Sequence, residues 1–287
     1  MAGLFDITSA RNPAVKELMR LRVFRRKARE KRGLVLVRGR QLIQQIGERF
    51  PFHRVYTHEA RDAWGGYAAE RVVRVERGVL KHVLIRPGRG RVSRHLDDDE
   101  LVVGTVEQPE PAAEFGASAR WILALDGVKH AENMGMLLSS AVALKFDGVV
   151  FLPECVDPFG YKVLEASQAV AWTLPHRFCS RSELLALCRA RRWAPCVADA
   201  AGVPVEEARA PAADAGICLA VGDESRGVGP ELLRACERVA LPMSELVDSL
   251  NAGVAGGILM HSLACAWVRR RAGRGADHAL GGVAWPA

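Results

Sequence analysis

From Trp121 onward, short apolar runs alternate with helix-like stretches, and this alternation limits the folds open to the chain more than any other feature. Strand-like runs fall at 121–125, 148–152, 194–198, 217–221 and 239–241. Helix-like stretches fall near 133–144, 160–170, 181–191, 229–236 and 250–270. Strands separated by helices cannot close as hairpins, so they pair in parallel with helices on both faces. The predicted class is α/β with a mostly parallel sheet. Such a sheet supports many chemistries, so function has to come from particular residues.

The first part of the chain reads differently. Residues 11–32 predict a basic helix, in which Val15, Leu18, Leu21 and Phe24 recur at near-helical spacing within a dense run of Lys and Arg. Short β-like runs follow at 34–37, 54–57, 72–75 and 101–106, separated by helical stretches at 39–48 and 77–85. This predicts a small α/β domain over 1–107. The Pro- and Ala-rich segment after it, with no apolar periodicity, reads as a linker over 108–118. The second domain is expected over 119–272, and the Gly/Ala-rich tail 273–287, with little to pack, is expected to be disordered.

Charge divides along the same line. The net charge of +7 combines 23 Lys/Arg against 8 Asp/Glu in residues 1–96 with 17 against 25 in residues 97–287. So basic a domain beside an acidic one points to a polyanionic partner. All seven cysteines lie in the second half, in odd number and without a C-x-x-C pair. That indicates neither a metal site nor a disulfide framework, and fits a reducing compartment. No run of eighteen apolar residues occurs, so no membrane span is expected. A cytoplasmic location is expected. An Arg-rich, acid-poor start leaves a mitochondrial or other organellar leader as the alternative.

Three local patterns in the second domain stand out. Gly222-Asp223-Glu224 ends a strand, and Gly222, lacking a Cβ, permits close backbone approach. About twenty residues on, Leu241-Pro242-Met243-Ser244 leaves the next strand, and Ser249-Leu250-Asn251 opens a helix. Ser249 and Asn251 are natural helix N-terminal residues. The helix they open, Ala252-Gly253-Val254-Ala255-Gly256-Gly257, is intrinsically poor, because each Gly costs about 1 kcal/mol relative to Ala. It suits a face packed very closely by another segment or subunit. Earlier, Asn133-Met134-Gly135 opens a helix after Leu125-Asp126-Gly127.

In order and spacing these patterns resemble the three motifs of the SpoU/TrmH family of RNA 2'-O-ribose methyltransferases, in the SPOUT superfamily. The segment Asp157-Pro158-Phe159-Gly160-Tyr161-Lys162, with Glu165-Ala166-Ser167-Gln168-Ala169 after it, resembles the middle motif. Ile7-Thr8-Ser9-Ala10-Arg11-Asn12-Pro13-Ala14-Val15-Lys16 resembles the start of the substrate-binding domain many members carry. The resemblance implies a trefoil-knot domain holding S-adenosylmethionine, a homodimer, and ribosomal or transfer RNA as substrate. Gly222, Leu241, Met243 and Leu250 would hold the cofactor. Asn133, Glu224, Ser249 and Asn251 would line the reaction site. Arg11, Asn12 and Lys16, with Arg25, Arg26 and Lys27 of the basic helix, would bind RNA.

Some positions depart from the family pattern. Six residues after Asn133, where members carry an Arg that grips phosphate and helps activate the ribose hydroxyl, this chain has Ser139. Glu165 stands where a basic residue is common, Ala169 where Gly is common, and Arg38 where Glu is common. His130-Ala131-Glu132, Asp223 and Glu245 are further changes. A Glu165 facing RNA would repel phosphate. The alternative reading is therefore a catalytically impaired RNA-binding member, acting as a ribosome assembly factor or as the inactive partner of a heterodimer.

Overall fold

The computed structural model describes residues 6–23, 32–60, 66–85, 96–209, 215–244, 246–247 and 249–271. The chain divides into two compact units, Met1–Glu110 with Asp157–Trp172, and Pro111–Val156 with Thr173–Ala287.

The first unit is built on a four-stranded sheet in the order β1 (Leu34–Arg38), β4 (Val102–Glu107), β2 (Phe52–Thr57) and β3 (Ala69–Arg74). β4 runs antiparallel to both neighbours, whereas β2 and β3 are parallel. Alternate residues of a strand face opposite ways, so the sheet carries a core on each face. Leu36, Tyr56 and Val103 meet Val15, Leu18 and Leu21 of α1 (Pro13–Val23) and Val79, Leu80 and Val83 of α3 (Arg77–Leu84). Val35, Val37, Phe52 and Val55 meet Ile43 and Ile46 of α2 (Arg40–Gly47). Gly104 makes room there, since a Cβ on it would lie 2.4 Å from the Phe52 ring.

Residues 157–172, read from sequence as part of the 119–272 domain, pack into that second core. Phe159, Leu164, Ala169 and Trp172 are all buried in it. Burying Phe159 and Leu164 contributes about 1.5–3 kcal/mol each. The helix of this segment, α5 (Tyr161–Ala166), is shorter than the expected 160–170. It stops because Gln168 and Ala169 adopt φ of 48° and 58°, a region that costs a non-glycine residue about 1–2 kcal/mol. Ala169 is one of the positions where the family pattern has Gly. Ala169→Gly is therefore expected to raise the melting temperature modestly, by the strain relieved less the buried methyl lost. A thermal denaturation scan checks this.

The second unit holds six strands in the order β10 (Glu237–Ala240), β8 (Trp193–Pro204), β9 (Gly216–Gly222), β5 (Trp121–Asp126), β6 (Gly148–Phe151) and β7 (His176–Phe178). Every neighbouring pair is parallel, so the sheet is parallel throughout rather than mostly so. β7 escaped the sequence reading because three residues beginning His176-Arg177 present no apolar run. Ile122, Ala124, Val150, Cys218 and Ala220 pack with Leu184 and Cys188 of α6 (Arg181–Arg191) and Leu232 of α7 (Pro230–Ala235). α6 starts with a capping box: Ser180 Oγ accepts the Glu183 N–H at 3.2 Å and Glu183 Oε2 accepts the Ser180 N–H at 2.7 Å.

The two remaining helices, α4 (Ala131–Ala143) and α8 (Ala252–Arg271), pack on each other. A Cβ on Gly253 would lie 2.6 Å from Met136 Cε, and one on Gly256 would lie 2.2 Å from Leu137 Cδ2. The small residues thus let the two helix backbones approach, and the packing offsets their poor helix propensity.

The basic helix expected over 11–32 is seen as α1 over Pro13–Val23; Arg25, Arg26 and Lys27 lie outside the described residues, as does the tail 273–287. No described helix is long and apolar enough to cross a membrane. Burial pushes the thiols of Cys155, Cys179 and Cys236 up to about 11. At pH 8 the native protein is expected to resist iodoacetamide at these three positions and to react fully once denatured, as read by mass spectrometry.

Candidate functional site

β5 and β9 are neighbours in the sheet, with Asp126 paired to Gly222. The loops that leave their C-terminal ends are therefore neighbours too. One leads into α4 and presents Asn133; the other carries Glu224. α8 packs on α4 and brings Asn251, just ahead of its first turn, to the same point.

Three side chains close into one network there. A single carboxylate oxygen, Glu224 Oε1, accepts from Asn133 Nδ2 at 2.9 Å, Asn251 Nδ2 at 2.6 Å and the Ala252 N–H at 3.2 Å. Asn133 Oδ1 accepts from Asn251 Nδ2 at 2.7 Å. Asn251 Oδ1 in turn accepts the N–H groups of Gly253 and Val254 at 3.0 and 3.2 Å. Asn251 is thus the N-cap of α8, and its amide orientation follows from the donors and acceptors around it. A carboxylate at a helix N-terminus is favoured by the helix dipole. Hydrogen bonds to a charged group contribute about 1.5–3 kcal/mol each, so the network locks two loops and two helices together.

Behind it, Gly222 is held against the far side of its own loop. A Cβ on it would lie 2.2 Å from the carbonyl carbon and oxygen of Gly227. The Gly227 N–H closes that loop on the Asp223 carbonyl at 2.8 Å. Ser225 Oγ donates to the Asp223 carboxylate at 2.5 Å. That bond, with help from the N–H groups of Ser225 and Lys129 and the Lys129 charge, holds Asp223 below the usual carboxylate range.

Sequence reasoning missed one ionic anchor. The buried Asp126 carboxylate binds Arg181 through two contacts of 2.6 and 3.0 Å and accepts the Gly229 N–H at 2.8 Å. It ties the end of β5 to the starts of α6 and α7. Nothing local in the sequence couples positions so far apart.

The remaining candidates divide. Leu241, Met243 and Leu250 lie on the non-helical stretches between β10 and α8, with Met243 and Leu250 each 36% exposed. Ser249 is exposed on that stretch and makes none of the hydrogen bonds of the network among the described residues. Glu245 lies outside the described residues. Ser139 is half-buried on α4. At the start of α1, Arg11 and Lys16 are exposed, and Asn12 Oδ1 accepts the Ala14 N–H at 2.9 Å.

Two departures from the family pattern answer each other. The buried Arg38 guanidinium lies 2.6 Å from Glu100 Oε1 and 3.5 Å from Glu165 Oε1. Glu165 is thus matched by a cation, and the expectation that it repels RNA phosphate gives way to an internal ion pair whose two signs are both reversed. Arg38→Glu would set three carboxylates together and is expected to cost about 2–4 kcal/mol. Adding Glu165→Arg should recover at least half of it, as a double-mutant cycle by denaturant unfolding would show.

With this geometry in view, residues 120–261 match the SpoU rRNA Methylase family. The chain carries a SpoU methylase domain over those residues. An uncharacterized tRNA/rRNA methyltransferase of Mycobacterium tuberculosis is 32% identical over 158 residues, which are 53% of this chain and 55% of that protein. The chain therefore matches little more than half the length of the first such relatives. The 23S rRNA (guanosine(2553)-2'-O)-methyltransferase RlmP of Bacillus subtilis is 24% identical over 270 residues, covering 90% of this chain and 98% of that one. A crystal structure of an RNA 2'-O ribose methyltransferase superposes with a TM-score of 0.71 at 25% identity, over 93% of this chain and 99% of that one. The SpoU methyltransferase AviRb from Streptomyces viridochromogenes, in complex with AdoMet, shares the fold with a TM-score of 0.73 at 20% identity, over 92% of this chain and all of that one (100%).

Proposed function

We propose that the protein methylates the 2'-hydroxyl of a ribose in ribosomal or transfer RNA, using S-adenosylmethionine. The observation that carries this reading is the Asn133–Glu224–Asn251 network, set on a SpoU domain at the C-terminal ends of a parallel sheet, where α/β folds bind ligands.

The residues fit the cofactor. Leu241–Ser244 and Ser249–Asn251 run outside helix and strand, so most of their backbone groups are not committed to a ladder. Met243 and Leu250 add partly exposed apolar surface suited to an adenine ring. When bound, the cofactor supplies a sulfonium methyl group. The chain's part is positional: Glu224 and Asn251 fix the loop against α8, and Asn133 holds the start of α4, so that a ribose hydroxyl is oriented rather than left to diffuse. Arg11, Asn12 and Lys16 of the basic first unit would grip the RNA backbone. We read the passage from Leu241 into α8 as the trefoil knot of the family. The exposed Met136, Val254 and Ile258, on two helices that pack on each other, support a homodimer surface, as do the exposed Leu246 and Val247 ahead of α8, since exposed apolar side chains are costly to leave in water. A cytoplasmic setting fits the seven free thiols.

Ser139 favours a second reading, an RNA-binding member without methyl transfer. Incubation of the purified protein with labelled S-adenosylmethionine and unmodified ribosomal and transfer RNA decides between them. Label on a ribose is expected; cofactor and RNA binding without incorporation would establish the second reading. In either case RNA affinity is expected to fall by about 10³–10⁵ between 50 and 200 mM salt if six to ten phosphates are contacted, measured by filter binding.

A further inference from the structure

A serine at position 139 leaves α4 without a charge where RNA phosphate has to be held, because a hydroxyl is neutral at every working pH. The cations around the Asn133–Glu224–Asn251 network narrow quickly among the described residues. Arg181 is engaged twice by the buried Asp126. Arg226, in the Glu224 loop, is 70% exposed and lies 3.6 Å from Glu154. Lys145 follows the far end of α4, about 18 Å along the helix from Asn133.

Lys129 is placed differently. It stands between the end of β5 and the start of α4, four residues before Asn133, with an exposed side chain. The backbone leading into it is fixed. The carboxylate of Asp223, the neighbour of Glu224, is held below the usual carboxylate range mainly by Ser225, with help from the Lys129 backbone and charge. The residue before Lys129, Val128, accepts the Val156 N–H through its carbonyl at 2.7 Å. Asp126, three residues back, is held by Arg181 and Gly229. A fixed backbone carrying a long, flexible ammonium can bring a point charge to a single phosphate oxygen.

We propose that Lys129 supplies the cation absent from position 139, gripping the phosphate beside the target ribose and so positioning the hydroxyl. This rests on the RNA methyl-transfer reading above. Asp223, in this arrangement, anchors the loop and keeps the ammonium near the mouth of the site.

The test compares full-length wild type, Lys129→Met, Lys129→Arg and Arg226→Met. RNA affinity is measured against salt with an unmodified ribosomal RNA transcript, together with S-adenosylmethionine affinity and single-turnover methylation. Lys129→Met is expected to weaken RNA binding 5- to 10-fold and to lower the slope of log K against log salt by about one. Cofactor affinity should stay within about twofold, which a merely structural defect at the loop would not allow. Lys129→Arg should retain function, and Ser139→Arg placed in the Lys129→Met background should restore the slope. A wild-type salt slope in Lys129→Met, or the loss appearing in Arg226→Met instead, would overturn the proposal. If the wild type transfers no methyl group, the functional reading fails while the salt slope still decides the role of Lys129.

Discussion

Glu224→Ala is expected to raise the dissociation constant for S-adenosylmethionine by 10- to 100-fold and to reduce methyl transfer at least as much. One carboxylate oxygen accepts three donors, from Asn133, Asn251 and the Ala252 backbone. Removing it takes an acceptor from all three at once, although Asn251 keeps its bond to Asn133 Oδ1. The Asn133 side chain is buried, so its amide cannot recover the bond from bulk water. Leaving a buried donor unsatisfied costs about 1–3 kcal/mol, and 1.4 kcal/mol is tenfold in affinity. The variant should also melt earlier, because α8 loses the carboxylate at its N-terminus. Glu224→Gln keeps one acceptor oxygen without its charge and should fall between wild type and Ala. Calorimetric titration of the cofactor checks the order; wild-type affinity in Glu224→Ala would remove this residue from the site.

Gly222→Ala is the second large effect. The added methyl would sit 2.2 Å from the Gly227 carbonyl group, which is backbone and cannot rotate away. Relief requires opening the loop, and with it the 2.8 Å bond from the Gly227 N–H to the Asp223 carbonyl. Overpacking of this kind costs about 1–3 kcal/mol, and the loop that breaks is the one carrying Glu224. A loss of cofactor affinity of tenfold or more is expected alongside the lower melting temperature. Gly227→Asn provides the contrast. Gly227 has φ of 64° with open space at its Cβ position, a conformation Asn tolerates. That variant should bind nearly as wild type. If the two variants behave alike, the close approach at Gly222 is not what holds the loop.

Much of the site was legible because its signals are local. Gly222-Asp223-Glu224 at a strand end and Asn251 before a Gly-rich helix are patterns spanning a few residues, and Asn133 opens a helix of its own. Ser249 was the weaker inference: it shares a helix-entry signature with Asn251, yet the N-cap geometry belongs to Asn251. Sequence spacing cannot separate two such residues two positions apart, because which one caps depends on where the chain turns. The early stop of α5 was hidden for a related reason. Gln168 and Ala169 are acceptable helix residues, and only packing in the first unit holds them at positive φ.

The sequence by itself determined the α/β class, the parallel pairing implied by strands separated by helices, the basic first unit and the three loops from which a site can be built. Those properties follow from periodicity, charge and short motifs, which act over neighbouring residues. The tertiary structure alone decided that Asn133, Glu224 and Asn251 meet at a single oxygen atom. It also decided that Glu165 and Arg38, each an apparent defect when read singly, meet in an ion pair that Arg38 shares with Glu100, between segments far apart in the chain. Pairing of that kind depends on distance in space, and an ion pair or a shared proton acceptor leaves no mark on either residue's own stretch of sequence.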